Sequence, residues 1–193
     1  RWSAWADDDE GLTGDALLEH INAMFIALRN LDISDDPKKR KWLVREVMDG
    51  VNNFMKSGTL LRQVINRINK DVDFSKVRSA HLFNGLYEGM LKDLQSAGKA
   101  GEFYTPRPVT RFIVKMVAPK LGESVLDPAC GTGGFLASAI DTMLENVTTT
   151  EAYQKLQNNI HGIEKKPFPY LLCVTNLIAH GIDVPDIRHD NTL

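Results

Sequence analysis

Ser124-Val125-Leu126-Asp127-Pro128-Ala129-Cys130-Gly131-Thr132-Gly133-Gly134-Phe135 joins a short apolar run, a glycine-rich turn and the opening of a second apolar segment. The first run is too short for a helix and is bounded by turn signals, so it reads as a buried strand over Ser124–Asp127. Gly131, Gly133 and Gly134 have no Cβ, which lets the backbone take positive φ and lie directly against a ligand. The amides of a helix opening near Gly134-Phe135 favour a negatively charged group. Asp127, closing the strand, suits an ammonium, directly or through water.

Downstream, the pattern continues to alternate. Phe135–Leu144 reads as a helix, the threonine run Thr148–Thr150 breaks it, and Glu151–Asn158 is helical again. Asn159–Ile163 is a second strand, Phe168–His180 a helix ending at Gly181, and residues 185–189 a third strand. Strands alternating with helices predict a parallel sheet with right-handed crossovers, an α/β fold. Ligands of such sheets bind at the carboxyl ends of the strands, where the glycine turn lies. Glu164 closes the second strand there and offers paired acceptors to ribose hydroxyls. Asp190, after the third, suits an adenine amino group.

Upstream of the first strand, Pro106–Pro119 reads as a helix with Phe112, Ile113, Met116 and Val117 on one side. Before it stands Gly101-Glu102-Phe103-Tyr104-Thr105-Pro106-Arg107. Phe103 and Tyr104 offer faces for stacking, and Thr105-Pro106 starts the helix. Taken alone, this is a helix opening with two buried aromatics.

The first hundred or so residues read as all-helical. Apolar residues recur at helical spacing over Thr13–Arg29, Leu60–Asn69 and His81–Gln95. Ser34-Asp35-Asp36-Pro37 predicts another helix start, cap candidates followed by a first-turn proline, with the helix reaching about Met48. The run Lys38-Lys39-Arg40-Lys41 reads as a solvated helix face. Ser96–Gly101 is small and flexible. The expected organisation is a helical domain over 1–97 and an α/β domain over 98–193.

The bulk numbers narrow the class. In 193 residues the net charge is -2 with 25% charged and 43% hydrophobic residues, enough for a core and no global signature of nucleic-acid binding. If DNA is the substrate, positive charge must be local or come from a partner. Two distant cysteines, Cys130 and Cys173, suggest no disulfide framework and a reducing cytoplasm. No apolar run approaches membrane-spanning length. The chain opens with Arg1-Trp2-Ser3 and reads as a piece of a longer protein. His20, His81, His161, His180 and His189 are scattered, without metal-ligand spacing. Cys130 reads as a small side chain that packs. A dinucleotide fingerprint starting at Gly131 needs Gly or Ala where Leu136 stands, and a triphosphate loop needs Gly-Lys-Ser/Thr, which does not occur.

Gly-Glu-Phe-Tyr-Thr-Pro-Arg followed by Asp-Pro-Ala-Cys-Gly-Thr-Gly-Gly-Phe resembles the adenine-N6 DNA methyltransferases, specifically the modification subunit of type I restriction–modification systems. Phe83-Asn84-Gly85-Leu86-Tyr87-Glu88-Gly89-Met90-Leu91 is similar to that family's stretch leading into the catalytic domain, so the resemblance covers roughly residues 60–190. It implies the first half of a Rossmann-like sheet, S-adenosylmethionine as cofactor, and methyl transfer to N6 of adenine. Cofactor contacts would fall on Glu102, Phe103, Tyr104, Thr105, Pro106, Arg107, Asp127, Gly131, Thr132, Gly133, Gly134, Glu164 and Asp190. The family's catalytic Asn/Asp-Pro-Pro-Phe/Tyr motif does not occur here and would lie beyond Leu193, so no catalytic residue and no metal ligand is expected. The implied partners are DNA, a specificity subunit and a nuclease/translocase restriction subunit. Two alternatives stand beside this reading: a non-catalytic module for subunit interaction or DNA clamping, and a stand-alone adenine methyltransferase.

Overall fold

Helical periodicity governs the first part of the chain and strand–helix alternation the second. The computed structural model describes residues 6, 11–36, 39–71, 89 and 105–193, and the chain divides into two units, Arg1–Arg78 and Ser79–Leu193. The expected helix at His81–Gln95, the flexible stretch at Ser96–Gly101, and the site residues Glu102, Phe103 and Tyr104 lie outside the described residues.

In the first unit, α1 (Gly14–Arg29), α2 (Arg40–Asp49) and α3 (Gly58–Asp71) pack around α1. Leu17 and Ile21 stand one turn apart on α1, as Leu61 and Ile65 do on α3, and these faces meet with Ala6 to form the core. Arg29, at the end of α1, donates from Nε to the Met48 carbonyl at 2.9 Å and from Nη2 to the Val51 carbonyl, tying α1 to the exit of α2. Arg62 is buried among carbonyls: its Nε donates to Leu12 O at 2.8 Å. The expected start of α2 at Ser34–Pro37 is corrected by the structure. The helix begins at Arg40, after Lys39 in the left-handed region at φ 53. The Asp36 carboxylate still caps it from outside, accepting from Arg40 N at 3.0 Å and from Trp42 N at 2.8 Å. The side chain reaches the first turn's orphan amides across the intervening residues, a solution that adjacent-residue capping rules do not anticipate.

The second unit runs α4 (Arg107–Val117), β1 (Val125–Asp127), α5 (Gly134–Leu144), α6 (Thr150–Asn158), β2 (Ile160–Glu164), α7 (Pro167–Ala179) and β3 (Asp186–His189). The strands form one parallel sheet in the order β1-β2-β3, with Asp127 beside Gly162 and Glu164 beside His189. Each crossover steps in the same direction. Right-handed connections then put their helices on one face, and α5 and α7 do pack there. That face carries Ile160, Gly162 and Ile187. Gly162 permits the close layer: a Cβ there would stand 2.8 Å from Ile187 Cδ1 and 3.1 Å from both Cys130 Sγ and Leu136 Cδ1. Tyr170 of α7 stacks on His189 at 4.8 Å between ring centres. The opposite face shows Leu126 at 60% exposure and a His161–Asp186 pair at 2.7 Å.

Local chemistry sets the ends of these elements. Thr149 ends the expected threonine break by capping α6, its hydroxyl accepting from Ala152 N at 3.1 Å. Tyr153 Oη and Gln157 Nε2 donate to Gly181 O at 2.6 and 2.8 Å, so α6 holds the turn between α7 and β3. On α4 the buried residues are Thr110 and Val114. The apolar stripe anticipated on that helix is exposed instead, with Phe112 at 64% and Met116 at 67%. Among the described residues nothing covers it, because α4 meets α5 through its Thr110 side.

Candidate ligand site at the carboxyl end of the sheet

The chain leaves β1 at Asp127 and turns back into α5 within six residues, and the turn is held on three sides. From β2, Ile163 O accepts from Cys130 N at 3.0 Å, extending the sheet ladder into the turn. Gly133 N donates to Cys130 O at 2.8 Å and closes a tight turn. Gly133 caps α5 at φ 77, and a Cβ there would stand 2.8 Å from Cys173 Sγ. Both the left-handed backbone and the contact with α7 therefore require glycine.

Glu164, the last residue of β2, joins the turn to the sheet. One carboxylate oxygen accepts from Gly131 N at 2.9 Å, and the other from Lys166 N at 2.7 Å. Each oxygen retains capacity for a second donor. Asp127 stands beside it, accepting from Ala129 N at 3.2 Å. Burial pushes the Asp127 carboxyl above its ordinary value, the bond from Ala129 opposes this, and the Glu164 charge adds to the rise.

Two helices complete the frame. From α4, Arg107 Nη1 donates to Gly134 O at 3.1 Å. Thr110 Oγ1 lies 3.1 Å from Ser138 Oγ, both hydroxyls buried. From α7, Asn176 is wholly buried and donates from Nδ2 to Thr132 O at 3.0 Å. Cys173 brings its sulfur 3.6 Å from that of Cys130. Beyond β3, Asp190 N donates to Glu164 O at 3.2 Å, and the Thr192 hydroxyl donates to Pro128 O.

Between these supports lies a hollow of about 140 Å³, lined by Thr105, Thr110, Asp127, Ala129, Cys130, Gly131, Thr132, Gly134 and Phe135. Of the residues singled out from sequence, Thr105, Asp127, Gly131, Thr132 and Gly134 line it. Glu164 adjoins it through Gly131, and Asp190 through the backbone of Glu164. Pro106 caps α4 beside Thr105. Arg107 braces α5, and Gly133 faces α7. Sequence reading missed Asn176, Cys173, Thr110 and Ser138. The one available signal was an Asn within the apolar run Leu171–Ile178. The hollow offers the start of α5 at Gly134 and Phe135 and one carboxylate, Asp127, with Glu164 behind Gly131, an arrangement for a ligand bearing both charges. No group of three or more potential metal ligands occurs among the described residues, and none of their helices is long and apolar enough to cross a membrane.

A parallel sheet with a backbone-lined hollow at its strand ends defines a small-ligand-binding α/β unit. Residues 78–193 match the N-6 DNA Methylase family, and the chain belongs to that family. The type I restriction enzyme EcoEI methylase subunit of Escherichia coli is 56% identical over 195 residues, covering 100% of this chain and 40% of that protein. The type I restriction enzyme MjaIX methylase subunit of Methanocaldococcus jannaschii is 37% identical over 133 residues, 67% of this chain and 22% of that one. The crystal structure of a modification subunit from Vibrio vulnificus YJ016 superposes with a TM-score of 0.84 at 42% identity, covering 100% of this chain and 42% of that one. The chain thus spans less than half the length of these relatives.

Proposed function

We propose that this chain is the cofactor-binding part of a type I restriction–modification DNA methyltransferase subunit, which transfers a methyl group from S-adenosylmethionine to N6 of adenine in DNA. The observation that carries the proposal is the hollow at the end of β1, lined by Asp127 and by Gly134 and Phe135 at the start of α5, with Glu164 adjoining it through Gly131. A cofactor with a carboxylate, an ammonium and a ribose matches that donor and acceptor set. The α5 amides hold the carboxylate, Asp127 accepts from the ammonium, and Glu164 accepts from the ribose hydroxyls with the lone pairs its backbone bonds leave over. Asp190 takes the adenine amino group. Thr105, Pro106 and Arg107, with Glu102, Phe103 and Tyr104 before them, approach from the start of α4. When bound, the cofactor supplies an electrophilic methyl on its sulfonium. This chain's residues orient it, and none of them is assigned a catalytic role.

The sheet is read as the first half of a Rossmann-like sheet, with a helical domain over 1–97 before it. Further strands of the longer protein would add beyond β1, where Leu126 and the 270 Å³ apolar groove along Ile113, Val117, Phe135 and Leu136 stand open. Such a reversal of strand order makes the end of β1 the switch point at which ligands bind. DNA, a specificity subunit and a restriction subunit are the proposed partners in the cytoplasm, with sequence recognition delegated to the specificity subunit in keeping with the net charge of -2.

Calorimetric titration of the full-length protein with S-adenosylmethionine tests the reading. The wild type is expected to bind, and a folded Glu164→Ala variant to lose binding. Absence of binding by folded wild-type protein would overturn it.

A further inference from the structure

Cys130 and Cys173 are separated by 43 residues, yet their sulfurs stand 3.6 Å apart. Both are free thiols. They differ in surroundings. Cys173 is fully enclosed on α7, whereas Cys130 keeps 6% exposure and lines the hollow. A disulfide needs its sulfurs about 2 Å apart, so a modest side-chain adjustment separates this pair from bonding. Gly133 leaves the path clear, because a side chain there would occupy the space of the Cys173 sulfur. The contact with Cys130, burial and the nearby Asp127 and Glu164 carboxylates push the Cys173 thiol well above its ordinary range. Cys173 therefore stays protonated, and of the two residues it is Cys130 that lines the hollow by which a small reagent can approach.

We propose that Cys130 and Cys173 form a reversible disulfide that fastens the glycine turn to α7, with a small peroxide as oxidant, and that a ligand filling the hollow suppresses it. The cross-link rests on the thiol geometry alone; its suppression by S-adenosylmethionine rests on the function proposed above. In the first step Cys130 sulfur attacks a peroxide oxygen, the O–O bond breaks, and one water leaves with the thiol proton. Cys130 is then a sulfenic acid. Cys173 sulfur attacks Cys130 sulfur, the S–O bond breaks, and the hydroxyl departs with the Cys173 proton as a second water. Two thiols are oxidised by two electrons, which reduce one peroxide to two waters. A dithiol reductant reverses the bond by exchange.

The coupling follows from geometry. Cys130 lines the hollow, so an occupant covers that residue and closes the oxidant's approach from this side. The bond in turn pulls on Cys130, the neighbour of the Gly131 amide that the Glu164 carboxylate holds. Coupling between the two events is reciprocal.

The test uses the full-length protein treated with stoichiometric hydrogen peroxide, alkylated, digested and mapped by mass spectrometry. The expected product is a Cys130–Cys173 linked peptide, lost on reduction with dithiothreitol. In Cys173→Ser, Cys130 is expected to give a sulfenic acid trapped by dimedone and no link. Two intact alkylated thiols, or Cys130 oxidised to a sulfinic acid without a link, would overturn the cross-link. Saturating S-adenosylmethionine is expected to slow linking about tenfold or more. An unchanged rate with calorimetrically confirmed cofactor binding overturns the suppression. A linked peptide in a protein that binds no cofactor overturns the proposed function and leaves the cross-link standing.

Discussion

Burial raises the Asp127 carboxyl above its ordinary value, and this gives it a measurable pH signature. Its folded-state pKa is raised, so between the ordinary aspartate value and the raised one the native chain binds more protons than the unfolded chain. Its contribution to stability therefore falls as pH rises through that window. Asp127→Asn keeps an acceptor for Ala129 N and removes the charge. The variant is expected to melt higher than wild type at neutral pH, with the difference vanishing below the window, and to bind S-adenosylmethionine more weakly. Thermal denaturation across pH, with calorimetry at pH 7, reads both. Glu164 beside it accepts from Gly131 N on one oxygen and from Lys166 N on the other. Glu164→Gln keeps an acceptor for one of these amides and turns an NH2 donor toward the other, so one charge-assisted bond becomes neutral and the second is lost. Cofactor affinity should drop by at least about tenfold, corresponding to ~1.4 kcal/mol, while circular dichroism stays native.

At the scale of elements, α7 does more for the turn than for the sheet alone. Asn176 holds the Thr132 carbonyl from a fully buried position, so Asn176→Ala removes that bond and should cost about 1 kcal/mol or more in urea denaturation. Gly133→Ala should cost about as much, from left-handed strain and from overlap with Cys173 Sγ. Combining it with Cys173→Ala should restore part of the loss, because only the overlap is relieved. These supports also mark where sequence reading stopped. The turn itself was legible, since clustered glycines between an apolar run and a helix have few other uses. Its braces were not, because Asn176 and Cys173 meet residues 44 and 43 positions away, and no local pattern encodes that meeting. The α2 start slipped for a related reason: Asp36 caps through space from four residues before the first bonded amide. The apolar side of α4 was visible, but periodicity names a face and not its neighbour.

Among the described residues, the sheet is covered on one face, and β1 has strand β2 on one side only. Leu126, at 60% exposure, marks the open face beside the free edge. If further strands of the longer protein add there, Leu126→Asp should matter only in their company. Such a change at an exposed site should leave the 193-residue chain within about 0.5 kcal/mol of wild type. The full-length protein should lose about 1–3 kcal/mol from the burial of a charge at a core position. Parallel chemical denaturation of the two chains decides this, and equal effects would count against continuation of the sheet past β1.

Apart from Arg107, which reaches Gly134 O from upstream, the groups that hold the glycine turn come later in the chain: Glu164 follows Gly131 by 33 residues and Asn176 follows Thr132 by 44. A ribosome adding roughly 5–20 residues per second would release the turn seconds before its braces. During synthesis the cradle is therefore completed last at α7, and a nascent chain stalled before that helix emerges would carry the glycine signature without the Asn176 brace.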